Sequence, residues 1–347
     1  MVNARMLWFL SELARHRPDD AEVVAAAHRQ RADVDRLFRD GDHGGYLWEV
    51  AADGRPTRDR KQVYGQAFAT YALASYARTF ADDRALADAL SLAELIERHA
   101  WEPEHGGYLE AFARDWSPIE DQRLSEKDLN APKTMNTHLH VLEAYTELHR
   151  AAGLEATRGM LTRALSVFLE RFAEPRGDGH LALFCTVDWH ELNADVSFGH
   201  DIEASWLVHE AAEVLGDATF LSRAAVLAGD VAAATLREGM SERGGVLYER
   251  HAGANGRVPE HHWWVQAEAM VGFWNAYEVT GDGRYADAAR SVWSFTTAEI
   301  AREDGAWTWL AGGDEPRRGP YLAGFWKGPY HDGRALMEMS RRMSSED

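Results

Sequence analysis

The sequence predicts an all-α protein, an (α/α)6 toroid built of helical hairpins with short β pieces confined to loops. Two observations predict it: a glycine turn that recurs along the whole chain, and apolar residues at helical spacing between successive turns. The turns are His43-Gly44-Gly45-Tyr46, His105-Gly106-Gly107-Tyr108, Gly177-Asp178-Gly179-His180, Gly244-Gly245-Val246-Leu247 and Asp304-Gly305-Ala306-Trp307. Their first glycines are 62, 71, 67 and 61 residues apart. Such regular spacing marks a repeated supersecondary unit.

Taken in chain order, the first helical stretch is Ala4 to Ala14, which carries the run Met6-Leu7-Trp8-Phe9-Leu10 and shows no N-cap. Val63 to Phe80, Met135 to Ala151, Ile202 to Leu215 and Trp264 to Thr280 follow, each rich in Ala, Leu and Glu. Strand signals are limited to fragments such as Gly45 to Val50 and Gly245 to Glu249, too short to build a central sheet. Each unit therefore reads as two helices, a glycine turn and a short extended piece. A hairpin of about 65 residues buries its apolar face only against neighbours, so the repeats either extend as a solenoid or close into a ring. Closure is the expectation here, as one catalytic domain spanning residues 1–347. Six units would need roughly 390 residues, and the chain has 347. The first helix of the first hairpin is accordingly expected to be missing, the alternative being a ring of eleven helices.

Hydrophobic residues make up 46% of the chain and no low-complexity linker divides it, which suits one large core. Lys and Arg total 37 against 56 for Asp and Glu, a formal charge of −19 that repels phosphate backbones and anionic headgroups. Nucleic acid and membrane partners are excluded on this basis. Cys185 is the only cysteine, so neither an intrachain disulfide nor a multi-cysteine metal site forms; a reducing compartment, the cytoplasm by default, is expected. No charged segment followed by an apolar one opens the chain, and no uninterrupted apolar run approaches about 18 residues. Among 13 tryptophans several stand beside histidines. Flat rings of this kind cover the apolar C–H faces of pyranoses.

Four motifs at helix starts carry chemistry. In Asn136-Thr137-His138-Leu139-His140, Asn136 and His140 are four apart and share a helix face, while His138 points elsewhere. Gly199-His200-Asp201-Ile202-Glu203-Ala204 sets a carboxylate three residues from an imidazole, a pairing that orients the ring and favours its protonated form. Metal binding competes with acid/base work at that pair, but a metal needs further ligands at matching spacing, and the other clusters offer His and Trp. His262-Trp263-Trp264-Val265-Gln266-Ala267-Glu268 holds adjacent tryptophans, which cannot both face the core of an amphipathic helix. Trp326-Lys327-Gly328-Pro329-Tyr330-His331 places Trp326 and His331 around a Gly-Pro turn, where side chains are presented rather than buried. His140, His200, Trp264 and His331 follow one another at intervals of 60, 64 and 67 residues. These intervals match the repeat, so the motifs should converge around one cavity.

The segments Asn3 to Trp8, Tyr64 to Phe68, Met135 to Tyr145, Gly199 to Trp206, Trp263 to Glu268 and Trp326 to His331 resemble the N-acylglucosamine 2-epimerase superfamily, and within it the cellobiose 2-epimerases. The resemblance implies that His200 and His331 are the acid/base pair, with Glu203 partnering His200. It implies that Arg5 binds the oxygen that turns negative in an enediolate, and that His140, with Asp128, helps open the sugar ring. Tyr64, Asn136, Trp263, Trp264 and Trp326 would hold the reducing-end sugar. No metal and no nucleotide or other cofactor is implied, and the partner is a small-molecule sugar bound by a monomer or homodimer.

The side chains suit that chemistry. Removing the weakly acidic C2 proton of an open-chain aldose needs a base near C2 and a cation near O1. A histidine on each face lets one take the proton and the other return it to the opposite face, and imidazole titrates near neutral pH. An aldose–ketose isomerase is the nearest rival, since reprotonation at C1 gives the ketose; mannose competes with cellobiose or mannobiose as substrate. Other classes on the same toroid are a glycoside hydrolase, which needs two opposed carboxylates, and an inactive sugar-binding protein. The loops Asp115 to Pro132 and Leu310 to Tyr321 would contact a second sugar.

Overall fold

The computed structural model describes residues 1–174, 176–253, 256–311 and 323–344. Among the described residues are eleven α-helices: α1 (Val2–His16), α2 (Ala21–Phe38), α3 (Val63–Phe80), α4 (Asp83–His99), α5 (Met135–Ala152), α6 (Glu155–Val167), α7 (Phe198–Leu215), α8 (Ala218–Ala234), α9 (Trp263–Thr280), α10 (Gly283–Glu299) and α11 (His331–Ser344). They pack as two compact units. The first is Met1–Phe168 with Phe184–Leu192, and the second is Leu169–Leu183 with Asn193–Asp347.

Burial separates the helices into two kinds. Every residue from Trp263 to Ala276 in α9 is buried, and α3, α5 and α7 are nearly as continuous. By contrast α4 buries only Ala85, Ala89, Leu92, Ala93 and Ile96, and α10 a comparable stripe, the pattern of a helix with one wet face. In the first unit α1, α3 and α5 pack side by side, with α2, α4 and α6 against them; in the second α7, α9 and α11 do so, with α8 and α10 against α7 and α9. Small residues permit this closeness. A Cβ on Gly272 of α9 would stand 2.6 Å from the backbone oxygen of Ile202 in α7.

The hairpin connections are tight and repetitive. Helices α3, α5, α7 and α9 each end on a left-handed residue, Ala81, Gly153, Gly216 and Gly281. After three of these an aspartate, Asp82, Asp217 or Asp282, caps the next helix by accepting a backbone N–H. The first glycine of every recurring turn has positive φ: 72° at Gly44, 77° at Gly106, 64° at Gly177, 90° at Gly244 and 83° at Gly305. Only glycine adopts that region without strain.

Four of the five turns are pinned to the start of a buried helix. The fourth residues of α3, α5, α7 and α9 are Gln66, His138, Asp201 and Gln266, and they accept the N–H of Tyr46, Tyr108, Leu181 and Val246 respectively. Buried Lys61, Lys133 and Lys327 reinforce the docking by donating to the carbonyls of Gly44, Gly106 and Trp307. The described strands are two or three residues long and antiparallel, for example Lys133–Thr134 with Phe184–Cys185. No central sheet exists among them, as expected.

Two expectations need correction. Helix α7 begins at Phe198, four residues before Ile202, so His200 lies inside its first turn; Gly199 masks the helical pattern there. The stretch Ala218–Gly239 has the length and mean hydropathy, 1.3, of a membrane span. Its buried stripe, Ala224, Ala228, Val231 and Ala232, lies on a helix packed against α7 and α9. Finally, neither tryptophan of the pair is exposed: Trp263 and Trp264 are both buried, because α9 is surrounded and has no wet face.

Candidate active site

In the second unit, a charged cluster closes around His331. Nδ1 of His331 donates to Oε1 of Glu268 at 2.6 Å, which fixes the tautomer and leaves Nε2 as the basic nitrogen. The Nη2 of Arg334 lies 2.6 Å from Oε1 of Glu203 and 2.8 Å from Oε1 of Glu268. Trp206 Nε1 donates to the other oxygen of Glu268 at 3.1 Å, and Arg334 also bonds the Tyr330 hydroxyl. All these groups are buried. Two carboxylates facing one guanidinium leave a net negative charge beside Nδ1, so a positive charge arising on the ring as it takes a proton is stabilised.

His200 is held differently. Its Nδ1 lies 2.8 Å from Oγ of Ser197, the N-cap residue of α7, and its ring packs on Trp264 with centroids 4.8 Å apart. The Trp264 indole reaches this position by crossing Gly199, where a Cβ would come within 2.5 Å of it. His331 packs on the same indole at 5.5 Å. The two imidazole centroids are therefore at most about 10.3 Å apart.

In the first unit, Nη2 of Arg5 donates to the Tyr64 hydroxyl at 2.6 Å, and its guanidinium lies 4.3 Å from the centroid of Phe68. Tyr64 meets His140 edge-on at 5.0 Å. Nδ1 of His140 donates to Oε2 of Glu143 at 2.9 Å, both residues being buried. Asn136, half-buried at the start of α5, has its Oδ1 buried and without a hydrogen-bond partner among the described residues. His138 does point elsewhere: Nδ1 donates to the Thr134 carbonyl, Nε2 accepts from Tyr108, and burial pushes its pKa down to about 3.

Two carboxylates have partners that the sequence reading did not name. Glu203 was expected beside His200, but it sits one turn deeper, where Arg334 offers a charge-assisted bond, and it lies 3.9 Å from Nδ1 of His331. The carboxylate bonded to His140 is Glu143. Asp128 is half-buried in its own loop, bonded to the Ser125 N–H at 2.8 Å, with its pKa raised by burial. His331 is itself buried rather than displayed by the Gly-Pro turn, while Trp326 is half-buried against Phe325. Residues 312–321 of the Leu310 to Tyr321 loop lie outside the described residues.

Glu268, Arg334 and Glu143 went unassigned, although Glu143 stands three residues from His140 and Arg334 three from His331, the spacing used for His200 and Glu203. Glu203, Glu268 and His331 bring ligand atoms within 4.8 Å of one another, close enough to hold a metal ion. The cationic Nη2 of Arg334 already bridges the two Oε1 atoms of that set.

The N-acylglucosamine 2-epimerase (GlcNAc 2-epimerase) family model matches residues 1–331. The chain belongs to this family. It is 38% identical to a cellobiose 2-epimerase of Bacteroides fragilis over 98% of its own length and 86% of that protein's. Its fold superimposes on the solved cellobiose 2-epimerase of Spirochaeta thermophila with a TM-score of 0.87, 36% identity, and coverage of 99% of this chain and 85% of that one. A D-mannose isomerase of Marinomonas mediterranea is more distant, 25% identical over 76% of this chain and 67% of that protein. These likenesses establish the fold class read from the sequence, an all-α (α/α)6 toroid, and place this family member among the isomerases.

Proposed function

We propose that this family member is a carbohydrate 2-epimerase that interconverts C2 epimers of a reducing-end glucose or mannose unit, as in cellobiose or mannobiose. The observation that carries the reading is the pair His200 and His331, both packed on the Trp264 indole. One imidazole removes the C2 proton of the open-chain aldose, and the electrons of that bond form a C1–C2 double bond while O1 becomes negative. After rotation about C2–C3, the other imidazole delivers a proton to the opposite face. Arg5 supplies the positive charge for O1. His140, with Glu143 behind it, assists ring opening by proton transfer at the ring and anomeric oxygens. Tyr64, Asn136, Trp263, Trp264 and Trp326 hold the sugar, Asn136 through a side-chain oxygen that has no partner among the described residues.

The proton transfers in this reading call on no metal and no nucleotide. A glycosidase would use two carboxylates for acid/base work, whereas here Glu203 and Glu268 are both engaged by Arg334. The cytoplasm is the location this reading favours, supported by a single cysteine that forms no intrachain disulfide.

Incubation with cellobiose, mannobiose, mannose and glucose, followed by chromatographic resolution of the products, tests the proposal. The expected product is the C2 epimer of a disaccharide. Ketose as the main product would replace the reading with an aldose–ketose isomerase, and released monosaccharide would replace it with a hydrolase.

A further inference from the structure

Asp201 immediately follows His200 as the fourth residue of α7. Its counterparts Gln66, His138 and Gln266 pin a glycine turn by accepting one N–H, and each does so with an uncharged side chain. Asp201 performs the same docking, its Oδ1 taking the Leu181 N–H at 3.2 Å, but as a carboxylate with 0% exposure. Burying a carboxylate where an amide suffices is costly, so the charge has another task.

That task is visible at its second oxygen. Oδ2 of Asp201 lies 2.7 Å from Nδ1 of buried His180, whose Nε2 lies 3.2 Å from Oε2 of Glu238. Donation from both ring nitrogens to these two carboxyl groups requires the charged imidazole, although burial raises the Asp201 pKa. Burial opposes that charge, but the two carboxylates outweigh it and raise the His180 pKa. Glu238 stands in the π-helical turn Thr235–Gly239 that follows α8 and is gripped by Arg237 at 2.5 Å and Arg250 at 3.5 Å. Alternating charges thus run inward from the arginines to the first turn of α7. Ser197 is the N-cap residue of α7, yet its hydroxyl caps no backbone N–H and faces the His200 ring instead. Asp201 instead ties the first turn of α7 to Leu181 and His180.

We propose that Asp201, backed by His180 and Glu238, is a positioning residue for His200: it fixes the first turn of α7 while Ser197 orients the imidazole. The inference rests on the epimerase reading, in which His200 serves one face of C2 and His331, carried on α11, serves the other. Loosening the first turn of α7 therefore disturbs proton transfer more at the face served by His200, which the turn carries, than at the face served by His331, which α11 carries.

The test measures deuterium uptake at C2 in D₂O, starting separately from cellobiose and from its C2 epimer, for the wild type, Asp201→Asn and His180→Gln. Each variant is expected to slow exchange from one epimer by about tenfold or more, with exchange from the other epimer and both KM values changed less than about threefold. Glu238→Gln, at the half-buried end of the chain, gives the same asymmetry in smaller degree and serves if Asp201→Asn does not fold. Equal slowing from both epimers, the mark of a merely structural role, overturns the inference, as does no slowing at all. Absence of exchange in the wild type overturns the epimerase reading and this inference with it; wild-type exchange with unaltered variants overturns the inference alone.

Discussion

His331 works through what stands behind it. Glu268 fixes the ring by accepting from Nδ1 at 2.6 Å, and Arg334 in turn fixes Glu268. Glu268→Gln keeps the shape but removes the charge that balances a protonated ring. It is expected to lower kcat by on the order of 10² with little change in KM, as steady-state kinetics will show. His200→Ala and His331→Ala should each lose about 10² to 10⁴ in rate while still binding sugar, since each removes a proton-transfer partner and keeps the aromatic residues. Isothermal titration with the disaccharide separates loss of chemistry from loss of binding. His140, His200 and His331 were singled out in the sequence because they stand near helix starts, 60 and 131 residues apart, about one and two repeats. Their carboxylate partners were only half legible. Glu143 lies within its own helix, where spacing reveals it, but Glu268 reaches His331 from α9 to α11, and no local pattern encodes a contact between helices.

The start of α5 illustrates how a helix is set in place. Buried Glu110 accepts from the N–H and hydroxyl of Thr134 and from the Thr137 hydroxyl, anchoring the turn that presents Asn136 and, one turn on, His140. Burial raises the Glu110 pKa from 4.5 to about 8. The folded state then binds this proton more tightly than the unfolded chain does. Its stabilising effect is complete below pH 4.5 and is lost as pH rises towards 8. The cost is at most about 1.4 kcal/mol per pH unit. Glu110→Gln removes that dependence, so denaturant melts should show the variant gaining on the wild type between pH 5 and pH 8; a constant difference would refute the assignment. Gly199 shows the same dependence on close fit. A Cβ there would strike Trp264 at 2.5 Å, so Gly199→Ala should cost about 1–3 kcal/mol by overpacking and raise KM as the indole moves. Helix existence was legible wherever Ala and Leu recur at helical spacing. The start of α7 was not, because Gly199 and the strand residues Val196 and Ser197 interrupt the apolar pattern before His200.

At the scale of the whole molecule, the repeat was the most legible feature, since five glycine turns recur at near-constant spacing and the first glycine of each has positive φ. What the spacing concealed was register. His140 and Glu203 are both the sixth residue of their helices, α5 and α7, whereas His200 is the third of α7, so aligning His140 with His200 missed the true correspondence by one turn. The central claim concerns the fate of one hydrogen, and it is tested most directly by wild-type protein treated with EDTA, desalted, and allowed to turn over cellobiose in D₂O. Proton transfer through exchangeable imidazoles predicts deuterium at C2 of the epimerised product with the rate unimpaired by chelation. Full retention of the original hydrogen at C2, or loss of activity on chelation, would contradict the two-histidine mechanism.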